Sequence, residues 1–167
     1  VTAATIAYAD KNAGTGNKAV NLNAATINDG NSGANYTATL AGNTTSTINP
    51  AALTINAVTD SKTYDGYTSS AGAVSVGTLF GTDTVTGAAQ TFGSKNVLGV
   101  NNSILSVTGY TLTDNNAGGN YSVTSNTAAG TITAKAVTLT ASPVTKTYDG
   151  GLTYATTTPD LTALSTP

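Results

Sequence analysis

The chain has 167 residues, a formal net charge of −2 and 8% charged residues, every acid being Asp and every base Lys. It contains no Cys, His, Met or Trp, which removes disulfide staples, thiolate and imidazole metal ligands, the commonest general base and the thiol nucleophile. Six scattered Lys and no Arg make a poor phosphate-tracking surface, so nucleic acid is set aside, and there is no apolar run of about 18 residues to cross a bilayer as a helix.

Roughly one residue in five is Thr, with Ala, Asn, Gly and Val making up much of the rest. That mixture suits half-exposed strands joined by Gly, Asn and Asp turns. Residues 2–9 and 18–23 alternate apolar and polar side chains, which predicts two strands. Asp29 to Gly33 is a turn cluster, and 36–40 reads as the next strand, with Tyr36, Ala38 and Leu40 on one face. Residues 45–48 close this first segment. Asn49-Pro50 then breaks pairing, because proline has no N–H for a ladder and restricts the residue before it.

Leu53, Ile55 and Val58 open the next segment, and Asp65-Gly66 turns the chain after Lys62-Thr63-Tyr64. Strands are predicted at 72–79, 83–92, 103–113 and 119–125, with Val74, Val76, Leu79, Val85, Phe92, Ile104, Leu105, Val107, Leu112, Tyr121 and Val123 as core candidates. No sustained helical stripe is present. Turn signals about every 8–12 residues favour a sandwich or a partly open barrel. Residues 131–140 contain neither Pro nor Gly, which predicts one strand running almost straight into the next segment across a junction too short to swivel freely.

The chain repeats itself. Lys-Thr-Tyr-Asp-Gly at 62–66 returns at 146–150, an offset of 84, and Lys11-Asn12 falls on Lys95-Asn96 and Thr47-Ile48 on Thr131-Ile132 at the same offset. Asn35-Tyr36 meets Asn120-Tyr121 at 85, so a loop absorbs one residue. A fixed period of this size predicts an array: residues 1–50 as the second half of a unit, 51–135 as one complete unit and 136–167 as the first part of a further one. The expected fold is all-β, with small β-sandwich-like units of about 84 residues stacked end to end.

Four segments in order, Lys-Thr-Tyr-Asp-Gly, Ser94 to Val97, Ala117 to Tyr121 and Thr131 to Ala136, resemble the YDG/MBG-type repeats of large bacterial exoproteins. Those repeats occur in filamentous-haemagglutinin-like surface adhesins. The resemblance implies an extracellular, cell-surface role as a structural or adhesive element, with no catalytic residues to carry over.

Each candidate site has a structural reading beside a functional one. Tyr64-Asp65-Gly66 and Tyr148-Asp149-Gly150, preceded by Lys62 and Lys146, could form a ligand-contacting tip; packing of the Tyr and a positive-φ turn at Asp-Gly is the favoured reading. The loops Asp29 to Asn35 and Asp114 to Asn120 are rich in oxygen, yet one carboxylate each is too few for calcium, and an Asx-type turn is favoured. Asn35, Asn43, Asn101 and Asn120 stand in Asn-X-Ser/Thr sequons. Without cysteine, an isopeptide bond from Lys62, Lys95 or Lys146 is conceivable, though solvated lysines beside turns are the default. No enzyme, metal or cofactor is expected.

Three functions compete. The first is a stalk or spacer whose partners are neighbouring repeats of the same chain. The second is a module binding carbohydrate or protein on a host or neighbouring-cell surface. In the third, the half-units at the two ends of separate copies complete one another head to tail by strand donation, building a filament or matrix. Val1 is not an initiator methionine, so the chain is expected to be a fragment or a processed product.

Overall fold

The computed structural model describes residues 1–141 and 143–153; the rest of the segment 136–167, assigned above to a further unit, lies outside the described residues. The described residues are all-β, with ten strands in three curled sheets.

The first sheet is antiparallel and contains β1 (Ala3–Tyr8), β2 (Gly14–Thr26) and β3 (Asn43–Ile48) in that spatial order. Its hairpin turns at Asp10, whose carboxylate accepts the N–H of Asn12 at 3.0 Å. Tyr8 reaches across the sheet and donates its hydroxyl proton to the Thr47 carbonyl at 3.0 Å. Among the described residues this sheet buries no large apolar side chain: Ile6 and Tyr8 are exposed, and the buried residue is Lys18, at 8% accessibility. A three-stranded sheet with one uncovered apolar face gains little from burial.

Asn49 and Pro50 separate β3 from β4 (Ala51–Asn56), the ladder break anticipated from the proline. After it come β5 (Asp60–Thr63), β6 (Ser75–Val76), β7 (Thr84–Phe92), β8 (Ser103–Thr113), β9 (Tyr121–Asn126) and β10 (Ala128–Thr133). They form two sheets, β5-β10-β8-β7 and β6-β4-β9. Two pairs are parallel, β4 with β9 and β5 with β10; the others are antiparallel.

Leu53, Ile55 and Tyr121 from one sheet meet Val85, Val107 and Leu112 from the other. A second cluster, Ala57, Phe92, Leu105 and Ile132, takes in Tyr64 and also touches Val107, so the two clusters join into one core. Gly130 lies where the backbone passes the core closely: a Cβ there would stand 2.7 Å from Phe92 and 2.9 Å from Leu105. Gln90 is buried and satisfied, accepting from the Val58 N–H at 2.7 Å and donating to the Val58 carbonyl at 2.8 Å.

The ladders of the two regions share a register. In β1–β2, Ile6 faces Leu22 and Tyr8 faces Val20; in β7–β8, Gln90 faces Val107 and Phe92 faces Leu105. Each residue of the second set lies 84 positions after its counterpart on one strand and 85 on the other.

Four expectations are corrected: Ile104, expected in the core, is exposed at 60% accessibility, and the other three concern strands. Residues 36–40 are not a strand: Tyr36 has 65% accessibility and its N–H goes only to the Gly33 carbonyl at 3.1 Å. Its counterpart β9 is held by β4, and residues 1–50 contain no strand of that kind to hold 36–40. For the same reason the chain does not continue as a strand through 131–140; β10 ends at Thr133, and 134–141 make no ladder. The expected strand 72–79 shortens to Ser75–Val76, and β5, four residues flanked by turns, was hidden in the Lys-Thr-Tyr-Asp-Gly signal.

Candidate functional site

The Lys-Thr-Tyr-Asp-Gly segment builds the same loop twice. Lys62 Nζ donates to Asp65 Oδ1 at 2.9 Å and to the Tyr67 carbonyl at 2.7 Å, while Asp65 Oδ1 accepts the Tyr67 N–H at 2.9 Å. In the second copy, Lys146 Nζ donates to Asp149 Oδ1 and to the Gly151 carbonyl, both at 2.7 Å, and Asp149 accepts the Gly151 N–H at 2.9 Å. Gly66 and Gly150 have φ of 86° and 76°, the left-handed turn that favours glycine. Hydrogen bonding from the lysine ammonium, helped by one backbone N–H, holds each carboxyl below its ordinary pKa.

Their surroundings differ. Tyr64 packs against the core and Lys62 stands 5.5 Å from the Phe92 ring centroid, whereas Tyr148 has 92% accessibility. The expectation that the tyrosine packs therefore holds at 64 and fails at 148. The loop itself forms from contacts within six or seven residues; packing the ring needs a core, and the described residues around 148 supply none.

The two aspartate loops are a second pair. Asp114 accepts N–H groups from Asn116, Gly118 and Asn120 at 2.9, 2.7 and 2.8 Å. Asp29 accepts from Asn31, Gly33 and Asn35 at 2.8, 2.7 and 3.1 Å. Left-handed residues recur in step, with Ser32 and Gly33 at φ of 53° and 82° and Ala117 and Gly118 at 51° and 83°. This is the Asx-type turn favoured from the sequence. Among the described residues, no three acidic groups come together to hold a cation. Burial pushes the Asp114 carboxyl up, but its three N–H donors outweigh that and leave it below the ordinary value. Asp29 is lowered by the N–H groups of Gly33 and Asn31 first.

The Asp114 loop is also where the first sheet meets the rest of the chain. Asn120 Oδ1 accepts the Ala13 N–H at 2.7 Å, and Asn120 Nδ2 donates to Asn12 Oδ1 at 3.2 Å and to the Asp114 carbonyl at 3.0 Å. Asn116 Nδ2 donates to Asn120 Oδ1 at 3.0 Å and approaches the Ala13 carbonyl at 3.4 Å. Asp114, at 1% accessibility, thus fixes a loop whose two amides clasp the hairpin tip between β1 and β2.

Beside this clasp is an open cleft of about 330 Å³ whose lining includes Lys11, Ile48, Phe80, Asp83 and Tyr121. The Tyr121 hydroxyl donates to Asp83 Oδ2 at 2.8 Å and accepts the Phe80 N–H at 2.8 Å. The Phe80 ring stacks on Tyr121 with centroids 6.5 Å apart. Burial, with the Asp83 carboxylate, pushes the Tyr121 phenol above its ordinary pKa.

Of the sequon residues, Asn35, Asn43 and Asn101 are exposed. The Asn120 amide nitrogen is engaged in the clasp, so a glycan there would break it. Asn12, Asn116, Asp83 and Gln90 were missed from sequence. For Asn116 a signal existed: Asp-x-Asn-x-Gly-x-Asn-Tyr occurs at both 29–36 and 114–121.

No helix among the described residues is long and apolar enough to cross a membrane. Residues 49–128 match the family model of the YDG domain. Neither the curated proteins nor the solved structures gave a match.

Proposed function

We propose that this chain, whose residues 49–128 match the YDG domain, is a stalk or spacer segment of an extracellular bacterial adhesin. In this reading it is a tandem array of β-sandwich-like units that acts by reach and stiffness, not by catalysis. The observation that carries the reading is the clasp of Asn116 and Asn120 on Asn12 and Ala13. A side chain that bonds backbone 107 positions away ties one sheet to the next region and limits swivelling. Residues 1–50, 51–135 and 136–167 are, on this account, the end of one unit, a complete unit and the start of a third.

The surface agrees with such a role. Its charge is sparse, and the salt bridges among the described residues are local, within eight residues of sequence at most. The carboxylates in the two loop pairs are saturated by N–H groups or an ammonium. Antibodies raised against the 167-residue chain should label intact producer cells at a distance from the cell envelope; labelling only after permeabilisation would defeat the proposal.

A further inference from the structure

The cleft beside the clasp has a lining that a stalk does not need. It encloses about 330 Å³ between two walls. Lys11, Ile48 and Asn49 come from the first sheet and its ends, and Phe80, Asp83 and Tyr121 from the region after Pro50. Both walls are therefore supplied from within this chain. Repeat equivalents show how much of such a wall an intact unit covers: Lys95, Val97 and Thr133, 84 positions after Lys11, Ala13 and Asn49, stay exposed on the complete unit. Ile132, the counterpart of Ile48, is buried there. The cleft thus belongs to the junction and does not depend on an unfinished core.

The lining joins an aromatic platform to polar groups with spare capacity. Phe80 is 61% accessible although Tyr121 stacks against its ring, and its backbone N–H is tied to the Tyr121 hydroxyl at 2.8 Å. The ring is presented to solvent on an anchored loop, which lowers the ordering cost of a ligand that stacks on it. Asp83 Oδ2 accepts the Tyr121 hydroxyl, and among the described residues Oδ1 accepts nothing. Lys11 and Asp83 carry opposite charges in one cleft, yet among the described residues neither has an ion-pair partner. Asn49, also exposed, adds an amide that both donates and accepts.

We propose that this cleft binds an uncharged sugar ring, stacked on Phe80 with its hydroxyls bonded to Asp83, Asn49 and Lys11. A pyranose has an apolar C–H face and a rim of hydroxyls that donate and accept, which matches an aromatic surface edged by a carboxylate, an amide and an ammonium. An anion would meet Asp83 and a cation would meet Lys11, whereas a neutral polyol uses both. The volume is at the small end of ligand pockets, about 300–1,000 Å³, and the cleft is open. The ring enters either free or as one residue of a glycan chain. Binding does not require a stiff junction, so this proposal and the stalk can fail separately.

Amide NMR titration of the 167-residue chain with methyl glycosides of glucose, galactose, mannose and N-acetylglucosamine, and with cellotetraose and chitotetraose, tests this. At least one should shift the amides of Lys11, Asn49, Phe80 to Asp83 and Tyr121 saturably. Tighter binding of a tetrasaccharide than of its methyl glycoside identifies a chain as the source, and equal binding identifies the free ring. Phe80→Ala should weaken binding about tenfold, and Phe80→Tyr should preserve it. Lys11→Gln, at an exposed position whose side chain takes no part in the clasp, should weaken it several-fold with the other amides unmoved. The proposal is overturned if none of these sugars shifts the cleft amides, or if Phe80→Ala and Lys11→Gln both bind as tightly as the unmodified chain. It is equally overturned if glycine or inorganic phosphate shifts the same amides as strongly at the same concentration.

Discussion

Asn120 Oδ1 accepts the backbone N–H of Ala13 at 2.7 Å, joining residues 107 positions apart in sequence. The same amide is held from behind by Asn116 Nδ2 at 3.0 Å and by its own bond to the Asp114 carbonyl. Replacing Asn120 with Ala strands a half-buried N–H and releases Asn12 as well. We expect a loss of about 1–3 kcal/mol in denaturant unfolding. The amide hydrogen of Ala13 should also exchange markedly faster; unchanged protection there would show that the clasp does not hold the hairpin.

The two regions should respond differently to equivalent truncations. Phe92→Ala empties a buried site between Leu105 and Ile132 and should cost about 3–5 kcal/mol. Ile6→Ala, at an exposed position on the uncovered sheet, should stay within about 0.5 kcal/mol. Chemical denaturation of the two variants side by side reads the contrast. Similar losses would mean that the first sheet has a hidden core.

Two glycines separate strain from crowding. Gly66→Ala places a Cβ in open space at φ of +86°, so only backbone strain opposes it, about 1–2 kcal/mol. Gly130→Ala meets Phe92, Leu105 and the Asp60 carbonyl, the last at 3.1 Å. Overpacking of this kind costs about 1–3 kcal/mol or more, and it should also shift the methyl resonances of Leu105, which Gly66→Ala leaves in place.

Stability should be flat through neutral pH, since no histidine is present. The carboxyls of Asp10, Asp29, Asp60, Asp65, Asp114 and Asp149 are all lowered in the fold. Each therefore stabilises fully above its unfolded pKa of about 3.9, and that contribution is lost as pH falls through the lower folded value. The melting temperature should hold from pH 8 to about 5 and drop below about 4. For Tyr121 the sign is opposite: its raised pKa stabilises below about 10 and is lost as pH rises through the folded value. Absorbance titration should show one phenol ionising late, and Asp83→Asn should bring it earlier.

Much of this was legible in local pattern. The strands 84–92 and 103–113 declare themselves by alternation, the Asn49-Pro50 break by proline chemistry, and the all-β class by turn spacing. What sequence could not show is whether a strand has a partner. Tyr36 to Leu40 alternates as cleanly as Tyr121 to Ser125, but alternation specifies a face and not a neighbour, and only the second segment has β4 beside it. The Asp114 and Asp29 turns were readable from one carboxylate among amides. The clasp was not, because it depends on a contact across more than a hundred residues. Tyr64 and Tyr148 make the same point: identical letters give identical loops, while the packing of the ring depends on what the rest of the chain brings to it.

The central claim, that the first sheet and the region after Pro50 behave as one stiff stack, is tested most directly by residual dipolar couplings of the backbone amides in weakly aligned solution. Couplings from strands in residues 1–48 and from strands in residues 51–133 should fit one alignment tensor in a common orientation. Two tensors of different magnitude, with the first sheet the weaker, would contradict the account.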